Sequence, residues 1–343
     1  MVQQNYVGGE WVAGKTVTRD INPSDIRDLV GEYAQADAAL TEQAIDAARD
    51  AFRTWSLSPI QQRADILDKA GNLILARKDE LGKLLSREEG KTLPEGVGEA
   101  TRAGQIFKFF GGEALRLSGE KIASTRPGLE VEVTREPIGV VALITPWNFP
   151  IAIPAWKIAP ALCYGNCVVF KPADLVPGCG WALVDILIEA GLPKGVLNLV
   201  MGRGSVVGEK MLASPKIDAV SFTGSVSTGR AIAQKAVASG KKVQLEMGGK
   251  NPMVILDDAG RDGTTDEVPH EGDEGRHGPR AAPAVAVQQR RDPQPSERRP
   301  HLGVGDRREQ RGRVASQLGL DAARAERDEP ADGGVRSEEH TSE

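Results

Sequence analysis

Hydrophobic and polar positions follow two different periods along the first 138 residues. Residues 5–12 hold two short strand-type runs around Gly8-Gly9 and predict a β-hairpin. Apolar residues recur at helical spacing over about residues 41–55 and 59–88, and a further helix is predicted from about Pro94 to Leu117. Residues 130–135 alternate strictly, which predicts a half-exposed edge strand that another element should cover. We therefore expect residues 1–138 to form an N-terminal arm, a helical lead-in and edge strands.

From residue 139 onward, short apolar runs alternate with longer helical stretches. Strands are predicted at residues 139–144, 167–170, 196–200, 218–222, 242–246 and 253–256. Helices are predicted between them at about residues 150–164, 176–190, 205–213 and 225–239. Apolar strands separated by helices are typical of an α/β fold with a doubly wound parallel sheet, in which ligands bind at the carboxyl ends of the strands. We expect the core of this domain to span residues 139–259.

The composition of the chain changes after Ala259. Residues 260–343 contain no Phe, Trp, Tyr, Ile, Met, Cys or Lys and only three leucines. Such a segment has too little apolar surface to offset its chain entropy, so we expect it to be disordered. Two origins remain open. The segment is either a genuine acidic and basic tail, or GC-rich DNA translated out of frame in place of a further domain, and its Arg, Pro, Ala and Gly bias favours the second.

Charge and targeting signals narrow the class of protein. The net charge of -5 gives no basic bias toward nucleic acid. No apolar run approaches the length of a membrane span, and the first residues lack the charged and apolar regions of a signal peptide. We therefore expect a cytoplasmic protein without nucleic-acid or membrane partners.

Cysteine and histidine positions limit the available chemistry. The three cysteines, Cys163, Cys167 and Cys179, are too few and too close together for a disulfide framework, and we interpret them as core thiols. All four histidines lie at or after His270. The earlier chain therefore has no histidine for a general base or a metal site, which leaves Glu, Asp, Lys or Cys for acid–base work.

The sequence T-P-W-N-F-P at residues 145–150 directly follows the strand predicted at 139–144. Its two prolines fix the backbone and lack N–H groups, so the segment is predicted to be a rigid loop at the carboxyl end of that strand. The side-chain amide of Asn148 could donate a hydrogen bond to an oxyanion there. Equally, Asn148 could cap the helix predicted to begin near Pro150. The residues alone leave both interpretations open.

Further glycines and charged residues follow the other predicted strands. Lys171 and Asp174, in K-P-A-D, could bind ribose hydroxyls or form a surface ion pair. The sequence F-T-G-S-V-S-T-G at residues 222–229 opens a helix where backbone N–H groups could approach a pyrophosphate, although it differs from the usual G-x-G-x-x-G spacing. Residues 202–208 form a second glycine-containing loop, and Glu246 precedes Gly248-Gly249 at the end of another strand.

Together, T-P-W-N-F-P, K-P-A-D, F-T-G-S and E-M-G-G-K, at residues 145–150, 171–174, 222–225 and 246–250, resemble the aldehyde dehydrogenase superfamily. The resemblance covers residues 1 to about 259 and implies a Rossmann-like cofactor domain. The runs at residues 104–110 and 151–157 are most similar to 2-oxoglutarate semialdehyde (2,5-dioxovalerate) dehydrogenases.

The resemblance implies a role for each matching residue. In this family a cysteine thiolate attacks the aldehyde, and hydride passes to NAD or NADP. Asn148 would donate to the oxyanion, and Glu246 would activate the hydrolytic water as a carboxylate of raised pKa beside a dry pocket. The residues implied to contact the cofactor are Ile144, Thr145, Pro146, Trp147, Lys171, Asp174, Gly204, Gly208, Phe222, Thr223, Gly224, Ser225 and Gly248. Asp174 favours NAD over NADP, and the complete family member is expected to be a homodimer or homotetramer.

One departure from the family pattern bears on activity. The nucleophile is expected close to Arg280, yet the sequence contains no cysteine after Cys179. Two hypotheses follow. By family, the protein is an NAD(P)-dependent oxidoreductase that converts a small aldehyde, such as 2-oxoglutarate semialdehyde, to a carboxylate. Alternatively, this chain is a catalytically dead dinucleotide-binding fragment.

Overall fold

The computed structural model of the protein describes residues 2–248. The strand predicted at residues 253–256 and the segment 260–343 lie outside the described residues. The strands are β1 (Val2–Gln3), β2 (Asn5–Val7), β3 (Glu10–Val12), β4 (Thr16–Ile21), β5 (Leu29–Gln35), β6 (Glu120–Ala123), β7 (Glu130–Val133), β8 (Val140–Ile144), β9 (Cys167–Lys171), β10 (Leu197–Leu199), β11 (Ala219–Gly224) and β12 (Lys242–Met247). The α-helices are α1 (Ala38–Trp55), α2 (Ile60–Ala76), α3 (Lys78–Glu89), α4 (Leu93–Ala114), α5 (Ala152–Cys163), α6 (Pro177–Glu189), α7 (Glu209–Ala213) and α8 (Val226–Ala238).

The N-terminal predictions are confirmed in part. β2 and β3 form the expected antiparallel hairpin, with Asn5 opposite Val12. β2 also pairs antiparallel with β10, so the hairpin extends the main sheet. The helical spacing predicted over residues 59–88 is confirmed, and the segment forms two helices, α2 and α3, with a break at Arg77. Asp79 and Glu80 lie in the first turn of α3, where acidic side chains stabilise the start of a new helix.

The alternating segment at residues 130–135 forms β7, which pairs with β6 in a separate two-stranded sheet. Both strands are exposed at every position, so the prediction of a half-buried strand is wrong for the described part of the chain. The alternating Glu and Val residues of β7 pair with residues of β6, and neither face of the ribbon is buried. Lys121 and Glu130 illustrate this, with an ion pair of 2.6 Å on the ribbon surface.

The main sheet has seven strands in the order β12-β11-β8-β9-β10-β2-β3. The five strands from β8 to β12 are parallel, as predicted for a doubly wound α/β fold. After β8 the chain adds β9 and β10 on one side, then crosses to add β11 and β12 on the other. The strand order therefore reverses between β8 and β11, which is the position where open α/β sheets bind ligands.

Helices cover both faces of this sheet. α1, α7 and α8 form one connected layer, whereas α5 and α6 pack on the other strand face and against α2, α3 and α4. The central strands β8, β9 and β10 are almost wholly buried, which explains their continuous apolar sequences. Residues 2–248 belong to one compact unit. The predicted division at residue 138 stays a prediction.

A buried carboxylate joins the helical lead-in to the sheet layer. Glu88 at the end of α3 accepts hydrogen bonds from the backbone N–H groups of Gly178 and Cys179, the latter at 2.9 Å, in the first turn of α6. Burial, reinforced by the neighbouring Asp20 carboxylate, raises the pKa of Glu88 to about 8. Burial likewise raises the pKa of Asp20 to about 6. The folded protein therefore retains protons that the unfolded chain releases at lower pH.

We predict that the free energy of unfolding falls as the pH rises from about 4.5 to about 8. In this window the folded state binds more protons than the unfolded state, because the Glu88 pKa is raised from 4.5 to about 8 on folding. Glu88→Gln keeps an oxygen acceptor for only one of the two N–H groups, those of Gly178 and Cys179, and it removes this titration, so the slope should become flatter. Urea unfolding at several pH values measures the slope. Glu80→Gln, on the exposed side of the same helix, should leave it unchanged, and an equal change in both variants would contradict the prediction.

Candidate functional site

The predicted site segments lie along one edge of the main sheet. In the register of the sheet, Ile144 at the end of β8 is level with Phe222 of β11 on one side and with Lys171 of β9 on the other. Thr223 of β11 is in turn level with Glu246 of β12. Because these strands are parallel, the loops that follow them emerge at the same carboxyl edge. The fold thus brings the four sequence motifs to one side of the molecule.

The loop at residues 145–150 is fixed by contacts with the neighbouring strand β9 and with Lys91. Thr145 is buried, and its backbone N–H donates to the Lys171 carbonyl at 3.3 Å. Lys91 donates from Nζ to the Asn148 carbonyl at 2.5 Å and lies 3.8 Å from the centre of the Phe149 ring. Lys91 and the strand contact therefore fix the loop backbone. Trp147 and the Asn148 side chain remain exposed, at the edge of the sheet.

Glu99, not Asn148, caps the helix that follows the loop. α5 begins at Ala152 with Ile151 at its N-cap, so the predicted cap by Asn148 near Pro150 is wrong. Glu99 of α4 accepts the N–H groups of Ile151 and Ala152, both at 3.1 Å, and binds Lys91 Nζ at 2.8 Å through its other oxygen. This cap comes from 52 residues earlier in the chain and was not apparent from the local sequence. It leaves the Asn148 amide free of a capping role.

Lys171 and Asp174 form an ion pair, which is one of the two arrangements that the sequence predicted, the other being contacts with ribose hydroxyls. Lys171 Nζ lies 2.8 Å from Asp174 Oδ1 and donates to the Pro172 carbonyl at 2.9 Å. The Lys171 side chain is 6% exposed, whereas that of Asp174 is 34% exposed. The carboxylate is therefore oriented by the buried lysine while part of it faces solvent. This arrangement is compatible with a hydroxyl ligand on Asp174.

The segment after β11 packs tightly and starts a helix. A Cβ on Gly224 would lie 2.5 Å from the Phe222 ring, so only glycine fits there without movement of the ring. Ser225 is the N-cap of α8, and its Oγ accepts the Thr228 N–H at 3.3 Å. Other N–H groups of the first turn have no partner within the helix, as is general for helix N-termini, and α8 begins directly after the carboxyl end of β11.

The helix predicted at residues 205–213 is confirmed, although its first turn is a π-helix. Residues Gly204–Gly208 form this π-helical turn, which continues directly into α7 (Glu209–Ala213). Gly204 is exposed and Gly208 is buried, and nothing would lie within 4 Å of a Cβ at either position. The loop therefore leaves open space beside both glycines.

Glu246 lies at the expected sheet edge. Its side chain is exposed, and it accepts hydrogen bonds from Thr223 Oγ1 at 3.0 Å and from Gln244 Nε2 at 3.2 Å. Glu246 also lines a cavity between α5 and the strands β8, β11 and β12, and its place beside a dry pocket stays a prediction. Gly248 follows β12 and is also exposed.

Lys157 was missed by the sequence analysis. It is 6% exposed, and its Nζ donates to Ser221 Oγ at 2.8 Å and to Gln244 Oε1 at 3.1 Å. Burial lowers the pKa of Lys157, and the charge of Glu246 partly opposes this shift. The lysine lines a cavity of about 540 Å³ between α5 and the strands β8, β11 and β12. A signal was present in the sequence, because Lys157 is the one charged residue within α5.

Thr145 provides a further observation on ligand binding. Its hydroxyl oxygen is buried and has no hydrogen-bond partner within residues 2–248. Buried polar atoms are almost always paired in folded proteins. The unpaired hydroxyl lies directly after β8, at the start of the loop at residues 145–150.

The cysteines in this part of the chain are structural. Cys163, Cys167 and Cys179 are all buried and free, which confirms their interpretation as core thiols. Burial raises the pKa of Cys163 to about 11 and that of Cys167 to about 12, and it raises the Cys179 pKa well above its usual value. None of them is a thiolate near neutral pH, so none is poised as a nucleophile.

Within the described residues, no group of three or more His, Cys, Asp and Glu side chains is placed to hold a metal ion. The helices of residues 2–248 include none that is long and apolar enough to cross a lipid bilayer.

We predict that Glu99→Ala lowers the free energy of unfolding by about 2 kcal/mol, because two buried N–H groups at the start of α5 lose their acceptor. Glu99→Gln keeps one acceptor oxygen and should cost less. Urea unfolding at neutral pH measures both changes. Equal losses in the two variants would show that the charge, and not the helix cap, is what matters at this position.

Comparisons with known proteins agree with this geometry. The profile of the aldehyde dehydrogenase family matches residues 11–271. An alpha-ketoglutarate semialdehyde dehydrogenase of Haloferax volcanii is 46% identical over 258 residues, which are 75% of this chain and 54% of that protein. An alpha-ketoglutaric semialdehyde dehydrogenase of Bacillus subtilis is 42% identical over 266 residues, 77% of this chain and 54% of that protein. The chain thus spans about half the length of the curated relatives it matches.

Solved structures give the same result. A crystal structure of betaine aldehyde dehydrogenase from Staphylococcus aureus in complex with NAD+ superimposes with a TM-score of 0.71 and 36% identity, over 75% of this chain and 52% of that one. An Escherichia coli NADP-dependent enzyme also matches with a TM-score of 0.71, at 37% identity over 75% of this chain and 53% of its own. The parallel sheet, the strand-end motifs and these matches together show that the chain belongs to the aldehyde dehydrogenase family.

Proposed function

We propose that this chain supplies the dinucleotide-binding part of an NAD-dependent aldehyde dehydrogenase that acts on 2-oxoglutarate semialdehyde. The observation that carries the proposal is the reversal of strand order between β8 and β11, with the loop at residues 145–150 on one side and residues 223–225 on the other. Three relatives of this chain, including those from Haloferax volcanii and Bacillus subtilis, bear the name of a dehydrogenase for this semialdehyde or its synonym 2,5-dioxopentanoate.

The residues at this edge fit a nicotinamide dinucleotide. The free N–H groups at the start of α8, beside Gly224 and Ser225, would bind the pyrophosphate. The unpaired Thr145 hydroxyl and the neighbouring residues Ile144, Pro146 and Trp147 would contact the nicotinamide half. Bound NAD would supply the hydride acceptor. Phe222 and Thr223 at the end of β11, and Gly248 after β12, would lie along the same path.

Lys171 and Asp174 would bind the adenosine ribose. The buried ammonium of Lys171 holds the Asp174 carboxylate at 2.8 Å and leaves it partly exposed for the ribose hydroxyls. A carboxylate at this position repels the 2′-phosphate of NADP, so we propose NAD as the preferred cofactor. Gly204 and Gly208, with open space beside them, would accommodate the adenine.

Asn148 and Glu246 would act on the aldehyde. The exposed Asn148 amide, on a loop fixed by Lys91, would donate a hydrogen bond to the oxyanion formed at the aldehyde carbon. Glu246, oriented by Thr223 and Gln244, would hold the proton taken from the hydrolytic water. Both residues assist a nucleophile that the three buried cysteines do not provide.

The position of the cysteines bears on the activity that we propose for this chain. The sequence has no cysteine beyond Cys179, while the family chemistry requires a thiol near Glu246. We therefore propose that this chain binds NAD without oxidising aldehydes, and that a complete family member carries out the reaction, as a homodimer or homotetramer in the cytoplasm. Residues 260–343 take the place of the catalytic domain in this proposal.

We predict that Lys171→Met weakens NAD+ binding by about ten- to hundredfold, because a charge-assisted contact to the ribose and the orientation of Asp174 are both lost. Isothermal titration of the 343-residue chain measures the dissociation constant. Lys121→Met, on the exposed β6–β7 ribbon, makes the same change away from the site and should bind normally. Equal affinities for NAD+ in all three proteins would contradict the proposed cofactor site.

We predict that the chain forms no NADH from 2-oxoglutarate semialdehyde and NAD+, because it lacks a reactive thiol. Absorbance at the NADH band measures turnover, with Glu246→Gln as the control for background reduction. NADH formation above that control would refute the proposed inactivity but leave cofactor binding intact. Failure to bind NAD+ would instead refute the cofactor proposal, so the two outcomes are distinguishable.

A further inference from the structure

A cavity of about 370 Å³ lies between α4 and α5, beside the loop at residues 145–150. Gly98 and Arg102 line it from α4, and Ala152 and Trp156 line it from α5. The two residues of each pair are four positions apart, so each pair lies on one face of its helix. One face of α4 and one face of α5 therefore form the two long walls of the cavity.

The cavity is adjacent to the proposed oxyanion donor. Phe149, which directly follows Asn148 in the chain, lines the cavity, and so does Lys91. Lys91 Nζ donates to the Asn148 carbonyl at 2.5 Å. A ligand in the cavity would therefore lie next to the segment that carries the Asn148 amide.

Three of the charged residues that line the cavity already have partners. Glu99 binds Lys91 at 2.8 Å and accepts the N–H groups at the start of α5. Glu95 accepts hydrogen bonds from the Thr92 N–H at 3.1 Å and from Thr92 Oγ1 at 2.7 Å, which caps the start of α4. These contacts stabilise helix ends and the neighbouring loop.

The guanidinium of Arg102 is available for a ligand. The residue is exposed, and within residues 2–248 its side chain forms no hydrogen bond or ion pair. Glu95 lies two turns earlier on α4, about 10 Å along the helix axis, so it leaves the positive charge at the Arg102 end of the cavity. A guanidinium with free N–H groups binds a carboxylate through two parallel hydrogen bonds.

The other walls favour an aliphatic chain. Phe149 and Trp156 present aromatic rings and are 41% and 44% exposed. A Cβ on Gly98 would meet nothing within 4 Å, so open space lies beside this position. An aliphatic ligand would remove part of both rings from water, which stabilises the complex. The cavity therefore fits a carbon chain with a carboxylate at the end that reaches Arg102.

We propose that Arg102 determines substrate specificity by binding the distal carboxylate of an aldehyde acid. The carbon chain of the substrate lies along Phe149 and Trp156, and its aldehyde end points toward Asn148. This inference rests on the function proposed above and adds the residue that recognises the acid group. The site then prefers an aldehyde that carries a carboxylate over an uncharged aldehyde of the same length.

Two aldehydes test this preference. Isothermal titration of the 343-residue chain without NAD+ compares 2-oxoglutarate semialdehyde with pentanal, which has the same number of carbons but no carboxylate. The wild type should bind the semialdehyde at least about tenfold more tightly, because only this ligand forms a charge-assisted contact with Arg102.

Substitution of Arg102 tests the residue itself. Arg102→Met should weaken semialdehyde binding at least about tenfold and leave the binding of pentanal and NAD+ unchanged. Arg102→Lys keeps the charge but loses the two parallel hydrogen bonds, so its affinity should be intermediate. Arg53→Met makes the same change on exposed α1, in the other helix layer, and should bind both aldehydes as the wild type does.

Gly98→Leu tests the cavity independently of charge. The added side chain occupies the open space beside Gly98, so it should weaken the binding of both aldehydes and leave NAD+ binding unchanged. Leucine also favours a helix more than glycine does, so α4 should be retained.

The inference is overturned if the wild type binds the semialdehyde no better than pentanal, if Arg102→Met binds it as tightly as the wild type, or if Gly98→Leu binds both aldehydes normally. Each of these results, with NAD+ still bound, leaves the proposed cofactor site intact. Loss of NAD+ binding by the wild type would instead refute that site. Circular dichroism verifies that each variant is folded. If Arg102→Met fails to fold, the wild-type preference and Arg102→Lys decide the outcome.

Discussion

The parallel pairing of β8 with β11 is the constraint on which the site depends. It joins strands that are far apart in sequence and places Ile144 level with Phe222. The chain reaches this pairing only by crossing from β10 to the other side of β8, which reverses the strand order. Because the loops after these two strands leave in opposite directions, a crevice opens between them at the carboxyl edge.

Buried carboxylates from the helical lead-in hold this edge in position. Glu88 binds the start of α6 and Glu99 binds the start of α5, so two helices of the sheet layer are capped by side chains from α3 and α4. Each carboxylate satisfies backbone N–H groups that would otherwise be buried without partners. Lys91 links Glu99 to the Asn148 loop. The lead-in is therefore part of the support of the site.

Burial differs among the residues of the proposed site. Lys171 and Thr145 are buried beneath the loops, whereas Asn148, Trp147 and Glu246 are exposed. The residues proposed to bind the dinucleotide lie within residues 2–248, and some of them, such as Trp147 and Ser225, are exposed. The residues proposed to act on the aldehyde, Asn148 and Glu246, both have exposed side chains. The chain spans about half the length of the curated relatives it matches.

The sequence by itself determined the α/β class, the five parallel strands and the strand-end positions of the motifs, because apolar runs, helical spacing and loop residues are local signals. It also identified the cysteines as core residues. Only the tertiary structure decided that Glu99 caps α5, that Arg77 separates α2 from α3, and that Lys157 is buried beside Ser221. These features depend on partners that are distant in sequence. A local pattern records which residues are apolar, but not which distant side chain satisfies a buried N–H group or faces a particular strand edge.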